Sequence, residues 1–99
     1  MNAKTLHEWE QKHDAKNQTI KGFWESFRKW REEDRYDYLD TFNGKLYEEF
    51  ISVEEKSIEL IYNFSRVEAF VFFTVNFFYF DKEIGTYSIE FDLDGGSIR

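Results

Sequence analysis

The residues of this 99-residue chain best suited to chemistry are two histidines, His7 and His13, a large stock of carboxylates, and six serines, with no cysteine to act as a nucleophile or thiolate ligand. On a helix, side chains six positions apart point about 240° away from each other, so His7 and His13 cannot ligate one metal ion together. His7, Glu10 and Asp14 would share a helix face. Any exposed polar face produces that grouping, so no metal or acid–base site is expected there. Ser26, Ser52, Ser57, Ser65, Ser88 and Ser97 sit in no nucleophile-elbow motif and have no histidine near them in sequence.

Asp92-Leu93-Asp94-Gly95-Gly96 has the acidic opening of a calcium loop but lacks the later bidentate glutamate that such a loop requires. No helix follows whose N-terminus could hold phosphate, so a turn is expected. Paired acids occur at Glu54-Glu55, at Glu32-Glu33-Asp34 and at Glu90 with Asp92, and their abundance singles out none. A glycosidase-like pair needs a cleft that raises one pKa, and a short chain with one sheet offers little depth. The expectation is a protein that is not an enzyme, with no catalytic residue, no metal and no cofactor.

The elements that must position any functional side chain centre on Phe70–Phe80, which reads Phe-Val-Phe-Phe-Thr-Val-Asn-Phe-Phe-Tyr-Phe. Strand side chains alternate, so Val71, Phe73, Val75, Phe77 and Tyr79 form one apolar row. Phe70, Phe72, Phe78 and Phe80 flank Thr74 and Asn76 on the other. The run is interrupted by polar residues and falls short of the roughly 20 residues a membrane-spanning helix needs.

Keeping apolar residues on one face sets the pairing, because a one-residue slip reverses every side chain. Leu60 then lies opposite Val71 and Ile58 opposite Phe73, with a turn at Ser65-Arg66 or a wider Asn63 to Arg66 loop. On the other side Tyr79 would pair with Tyr87, Phe77 with Ile89, Val75 with Phe91 and Phe73 with Leu93, which leaves a loop over Asp81 to Gly85. Asn43-Gly44 is a strong hairpin dipeptide, and a further strand from about Leu46 to Val53 is expected after it.

Ile20, Phe23, Trp24, Phe27 and Trp30 recur at helical spacing and mark an amphipathic helix ending by about Tyr36. Gly22 costs it about 1 kcal/mol relative to alanine. Thr5 to Glu8 has the form of a capping box and predicts a shorter helix before it, with Leu6 and Trp9 on its apolar side. A break is expected near Asn17. The resulting fold class is α+β: an N-terminal amphipathic helix, or two helical segments, on one face of a three- or four-stranded antiparallel meander, residues 1–99 forming a single domain.

The formal charge is −7, and residues 46–99 carry all of the imbalance with eleven acids against four bases. Such a surface repels nucleic acid and anionic lipid and favours a basic protein partner. The N-terminus has no apolar stretch of signal-peptide type, so a cytoplasmic protein of bacterial style is expected. The expected function is a protein–protein interaction module of the inhibitor or immunity type, with Phe70, Phe72, Phe78 and Phe80 supplying contact area and Glu59, Glu68, Glu90 and Asp92 supplying charge. One alternative is a small-ligand binder or minor enzyme with a pocket lined by Trp24, Phe27, Trp30, Phe73 and Tyr79. The other is a structural homodimer joined through the free sheet face.

Overall fold

A computed structural model of the protein describes residues 2–33 and 48–96. Helix α1 spans Ala3–His13 and is capped by Asn2, whose side chain accepts from the Thr5 amide at 2.9 Å. The Thr5 hydroxyl donates to the same oxygen. The helix therefore starts before the expected capping box, because Asn2 is the N-cap and accepts from the amide of Thr5, the residue expected to hold that position.

Helix α2 follows almost at once, spanning Ala15–Glu33. Asp14 separates the two in a left-handed conformation, with φ 54° and its amide bonded to the Glu10 carbonyl. The break thus falls at Asp14, not near Asn17. Polar side chains close both ends of it: Gln18 donates to the His13 carbonyl at 2.7 Å and Glu10 accepts from the Lys16 amide at 3.1 Å. These bonds serve backbone groups that a helix end leaves unpaired, which explains a polar stretch without periodicity at this point.

Ala15, Thr19, Phe23 and Phe27 are the buried residues of α2, a row with a spacing of four. Ile20, Trp24 and Trp30 of the expected stripe are half-buried. Thr19 is tolerated in the core because its hydroxyl donates to the Ala15 carbonyl at 2.7 Å. Gly22 lets the helix approach the sheet closely, since a Cβ there would stand 2.9 Å from the Tyr87 hydroxyl and 3.0 Å from Ile89 Cδ1.

The sheet is an antiparallel meander of β1 (Ile51–Asn63), β2 (Glu68–Tyr79) and β3 (Lys82–Phe91), in the order β1-β2-β3. Both helices lie on the face of Val71, Phe73, Val75, Ile89 and Phe91, with Phe23 and Phe27 against Phe77, Tyr79 and Tyr87. Each such phenylalanine contributes about 1.5–3 kcal/mol by leaving water.

Ile58 pairs with Phe73 and Leu60 with Val71, as their alternation requires, and the connecting loop is Phe64–Val67. A bulge between Glu55 and Ser57 restores the facing, so that Ile51 and Val53 lie on the same side as Ile58 and Leu60 although their numbers differ in parity. The expected separate strand over Leu46 to Val53 is corrected: Ile51 to Val53 begin β1, after a short 3-10 turn at Glu48–Phe50. Asn43-Gly44 lies outside the described residues.

The second hairpin differs from expectation by four residues. Val75 pairs with Tyr87, Phe73 with Ile89 and Val71 with Phe91. The turn is the two residues Phe80 and Asp81, both at positive φ, instead of a loop from Asp81 to Gly85. A tight turn of this kind matches the twist of its strands. Ile84 is accommodated by an irregularity in register between Phe77 and Phe78, and Gly85 faces Phe77. The shift is even, so the apolar face is preserved; Leu93 lies beyond the strand.

Candidate functional site

The second face of the sheet is built from cross-strand rows that the register defines. Glu59, Phe72 and Glu90 form one row, Ser57, Thr74 and Ser88 the next, then Glu54, Asn76 and Thr86. Ser52, Phe78 and Glu83 close the face toward the Phe80 turn. Its middle is polar: Thr74 Oγ1 and Ser88 Oγ share a hydrogen bond at 2.8 Å. Asn76 Oδ1 is buried there with no hydrogen-bond partner among the described residues, an unusual condition for a polar atom in a folded protein.

The four phenylalanines expected to form one patch have different environments. Phe70 is only 5 % exposed, with the Arg66 guanidinium 4.6 Å from its ring centre. Phe72 and Phe78 are half-buried. Phe80 is 60 % exposed but belongs to the turn, where its ring stacks on Phe50 at 4.4 Å.

The expected acids also separate. Arg66 Nε lies 3.1 Å from Glu68 Oε1 and Arg66 Nη1 lies 3.2 Å from Glu90 Oε2, so two of the four carboxylates share one cation. Glu90 is largely enclosed, with 12 % of its side chain exposed. Asp92 follows β3, and its carboxylate accepts from the amides of Asp94 and Gly96 at 3.0 and 2.9 Å. It closes a turn, as the Asp-Gly-Gly sequence predicts. Glu59 is exposed beside Phe72.

Sequence reasoning places a turn at Ser65-Arg66 but misses the part Arg66 plays and the exposed apolar residues around it. A signal was present, for Arg66 is one of only four bases in residues 46–99 and stands two positions before Glu68. The loop Phe64-Ser65-Arg66-Val67 is also unusual in composition, with large apolar residues where turns prefer Gly, Asn or Asp. Phe64 is 86 % exposed and Val67 71 %, with Tyr62 and Leu60 exposed behind them. Tyr62 and Phe64 hold each other edge to face at 5.1 Å, and Asn63 Oδ1 accepts from the Arg66 amide at 2.9 Å. Val67 adopts φ 54°, a costly conformation for a β-branched residue.

A separate cleft of about 150 Å³ opens between α2 and the β2–β3 hairpin. Phe23, Phe27, Trp30, Phe77 and Tyr87 wall it together with Ser26, and Thr86, whose side chain belongs to the second face, also borders it. Of the pocket residues expected from sequence, Phe27 and Trp30 line it, whereas Trp24, Phe73 and Tyr79 do not. Trp24 instead lies edge-on to Phe23 and Phe27, with Arg28 over its ring.

The candidate chemistry at the N-terminus is dispersed. His7 pairs with Gln11, Glu10 caps α2, and Asp14 accepts from Asn17. His13 rests against Trp9 with ring centres 4.8 Å apart. Among the described residues no group of three His, Asp or Glu side chains is placed to hold a metal ion, and no helix is long and apolar enough to cross a membrane.

No family model, curated protein or solved structure matches this chain. Its functional reading therefore rests on the geometry above.

Proposed function

We propose that this protein is a small acidic binding module, of the inhibitor or immunity type, that acts by contacting a protein with a basic surface. The observation that carries this reading is the exposed apolar cluster at the β1–β2 end of the sheet, Phe64 and Val67 in the loop with Leu60 and Tyr62 on the helix side, while Glu59 and Glu68 are exposed at the same end on the second face. A contiguous apolar patch bordered by charge is the usual form of an interaction site.

The same charges favour a different protein over a second copy. Face-to-face self-association would bring Glu54, Glu59 and Glu83 near their own counterparts, and like charges in register oppose docking. A cation-rich surface instead meets the exposed acids Glu54, Glu59 and Glu83, while the accessible parts of Phe72 and Phe78 add apolar area. Arg66 removes Glu68 and Glu90 from full participation, so Glu59 carries more of the attraction than the sequence alone implies.

The test is capture from native lysate with wild type, with Phe64→Ser, and with Phe72→Glu plus Phe78→Glu, followed by reconstitution from purified components. Binding of one basic protein, weakened by salt and lost in Phe64→Ser or the double variant, is the expected result. Recovery of the same proteins by all three forms, or of an acidic partner, would overturn the reading. Sedimentation of the free protein as a tight dimer would favour the homodimer instead.

A further inference from the structure

We propose that the cleft between α2 and the β2–β3 hairpin is a binding site for a small neutral aromatic molecule bearing one hydroxyl, the phenol class. This site is distinct from the acidic hairpin surface and does not depend on the function proposed above.

Three observations carry it. The first is size and lining: a cleft of about 150 Å³ walled by aromatic rings has room for a molecule of roughly benzene size. Phe23 and Phe77 lie 4.9 Å apart and Phe23 meets Tyr87 edge-on at 6.1 Å, so their faces and edges offer the offset and T-shaped contacts that another ring prefers.

The second is polarity. Ser26 Oγ lies 3.4 Å from the Tyr87 hydroxyl, long for a bond between hydroxyls, which leaves capacity for a ligand hydroxyl to join the pair. Among the described residues no Asp, Glu, Lys, Arg or His lines the cleft. A charged ligand would lose hydration there without an ionic partner in return.

The third is the placing of two glycines in regular elements, where glycine weakens the chain by about 0.5–1 kcal/mol relative to alanine. A Cβ at Gly22 would crowd the Tyr87 hydroxyl, and one at Gly85 would stand 3.1 Å from the Phe77 ring. Both absences make space for rings that form the cleft wall.

The experiment is a titration of the isotope-labelled protein, followed by amide resonances, with phenol, benzene and benzoate. Phenol should produce saturable shifts at Ser26, Phe77 and Tyr87, with a dissociation constant on the order of 1 mM, normal for so small a ligand. Benzene should bind about three- to tenfold more weakly, the share of one hydrogen bond. Ser26→Ala should erase that advantage. Ser26→Leu, at an exposed helix position, should fill the cleft and abolish binding of both, and Ser26→Met serves the same purpose should Ser26→Leu not fold. Absence of saturable phenol shifts at these residues, equal binding of benzoate, or an unchanged phenol-to-benzene ratio in Ser26→Ala would each overturn the proposal.

Discussion

The indole N–H of Trp9 donates to the main-chain carbonyl of Leu93 at 3.0 Å, across 84 positions of sequence. Its ring also meets Phe91 edge to face at 5.9 Å. Helix α1 is thereby fastened to the end of β3 and the turn that follows. Trp9→Phe keeps an aromatic ring but leaves that carbonyl unpaired; we expect it to lower stability by about 1–2 kcal/mol. Urea denaturation, with the slope unchanged and the midpoint lowered, would measure this.

Gly22 offers a test of how closely α2 approaches the sheet. In an exposed helix Gly→Ala gains about 1 kcal/mol, but a Cβ here would meet the Tyr87 hydroxyl at 2.9 Å. Gly22→Ala alone should therefore fall short of that gain. In a Tyr87→Phe background the nearest contact is removed and only Ile89 Cδ1 at 3.0 Å remains tight, so the same substitution should recover about 0.5–1 kcal/mol relative to its effect in wild type. Additive effects in this double-mutant cycle would show that the hydroxyl is no obstacle.

Arg66 is the cation on which Glu68, Glu90 and Phe70 converge. Arg66→Gln would leave Glu90 enclosed and unpaired, and we expect a loss of about 1–3 kcal/mol, below the range for a fully buried pair because Arg66 is partly exposed. Adding Glu90→Gln should restore most of the loss. A double variant no more stable than the single one would place the cost in Phe70's lost cover instead.

Lys16 gives a pH dependence of defined sign. Its ammonium lies 2.9 Å from Glu55 Oε1; the hydrogen bond to Glu55, then the charge of that carboxylate, with a smaller contribution from Glu10, raise its pKa above the ordinary 10.5 against a small opposing desolvation. A pKa raised by folding stabilises the protein below the unfolded value, and the contribution disappears as pH rises through the folded value. Lys16→Met should thus be less stable than wild type at about pH 8, and the difference should shrink by about pH 11.5. Urea midpoints of both proteins at the two pH values would test this, and a gap that widens with pH would refute the assignment.

Much of the architecture is legible in residues 58–91. Ile58, Leu60, Val71 and Phe73 alternate so cleanly that their facing is set, and the expected pairing of Ile58 with Phe73 and Leu60 with Val71 is the observed one. The second hairpin was less legible because Phe80 and Asp81 adopt positive φ without the Asn or Gly that advertises such a turn. The expected pairing moved by four residues, and the even shift kept Tyr87, Ile89 and Phe91 on the core side. Likewise, the polar stretch after His13 announced a break, but its position at Asp14 depended on which amides Glu10 and Gln18 could reach.

By itself, the sequence determined which side of each strand meets the helices, since a period of two leaves no choice once one face is apolar. Tertiary structure alone decided which aromatic and acidic groups on the other side stay accessible. Arg66 and Glu90 are 24 positions apart and come together only after two hairpins are in register. Side-chain charge and ring burial depend on such distances in space, and a linear pattern carries the type of each residue but not its neighbour.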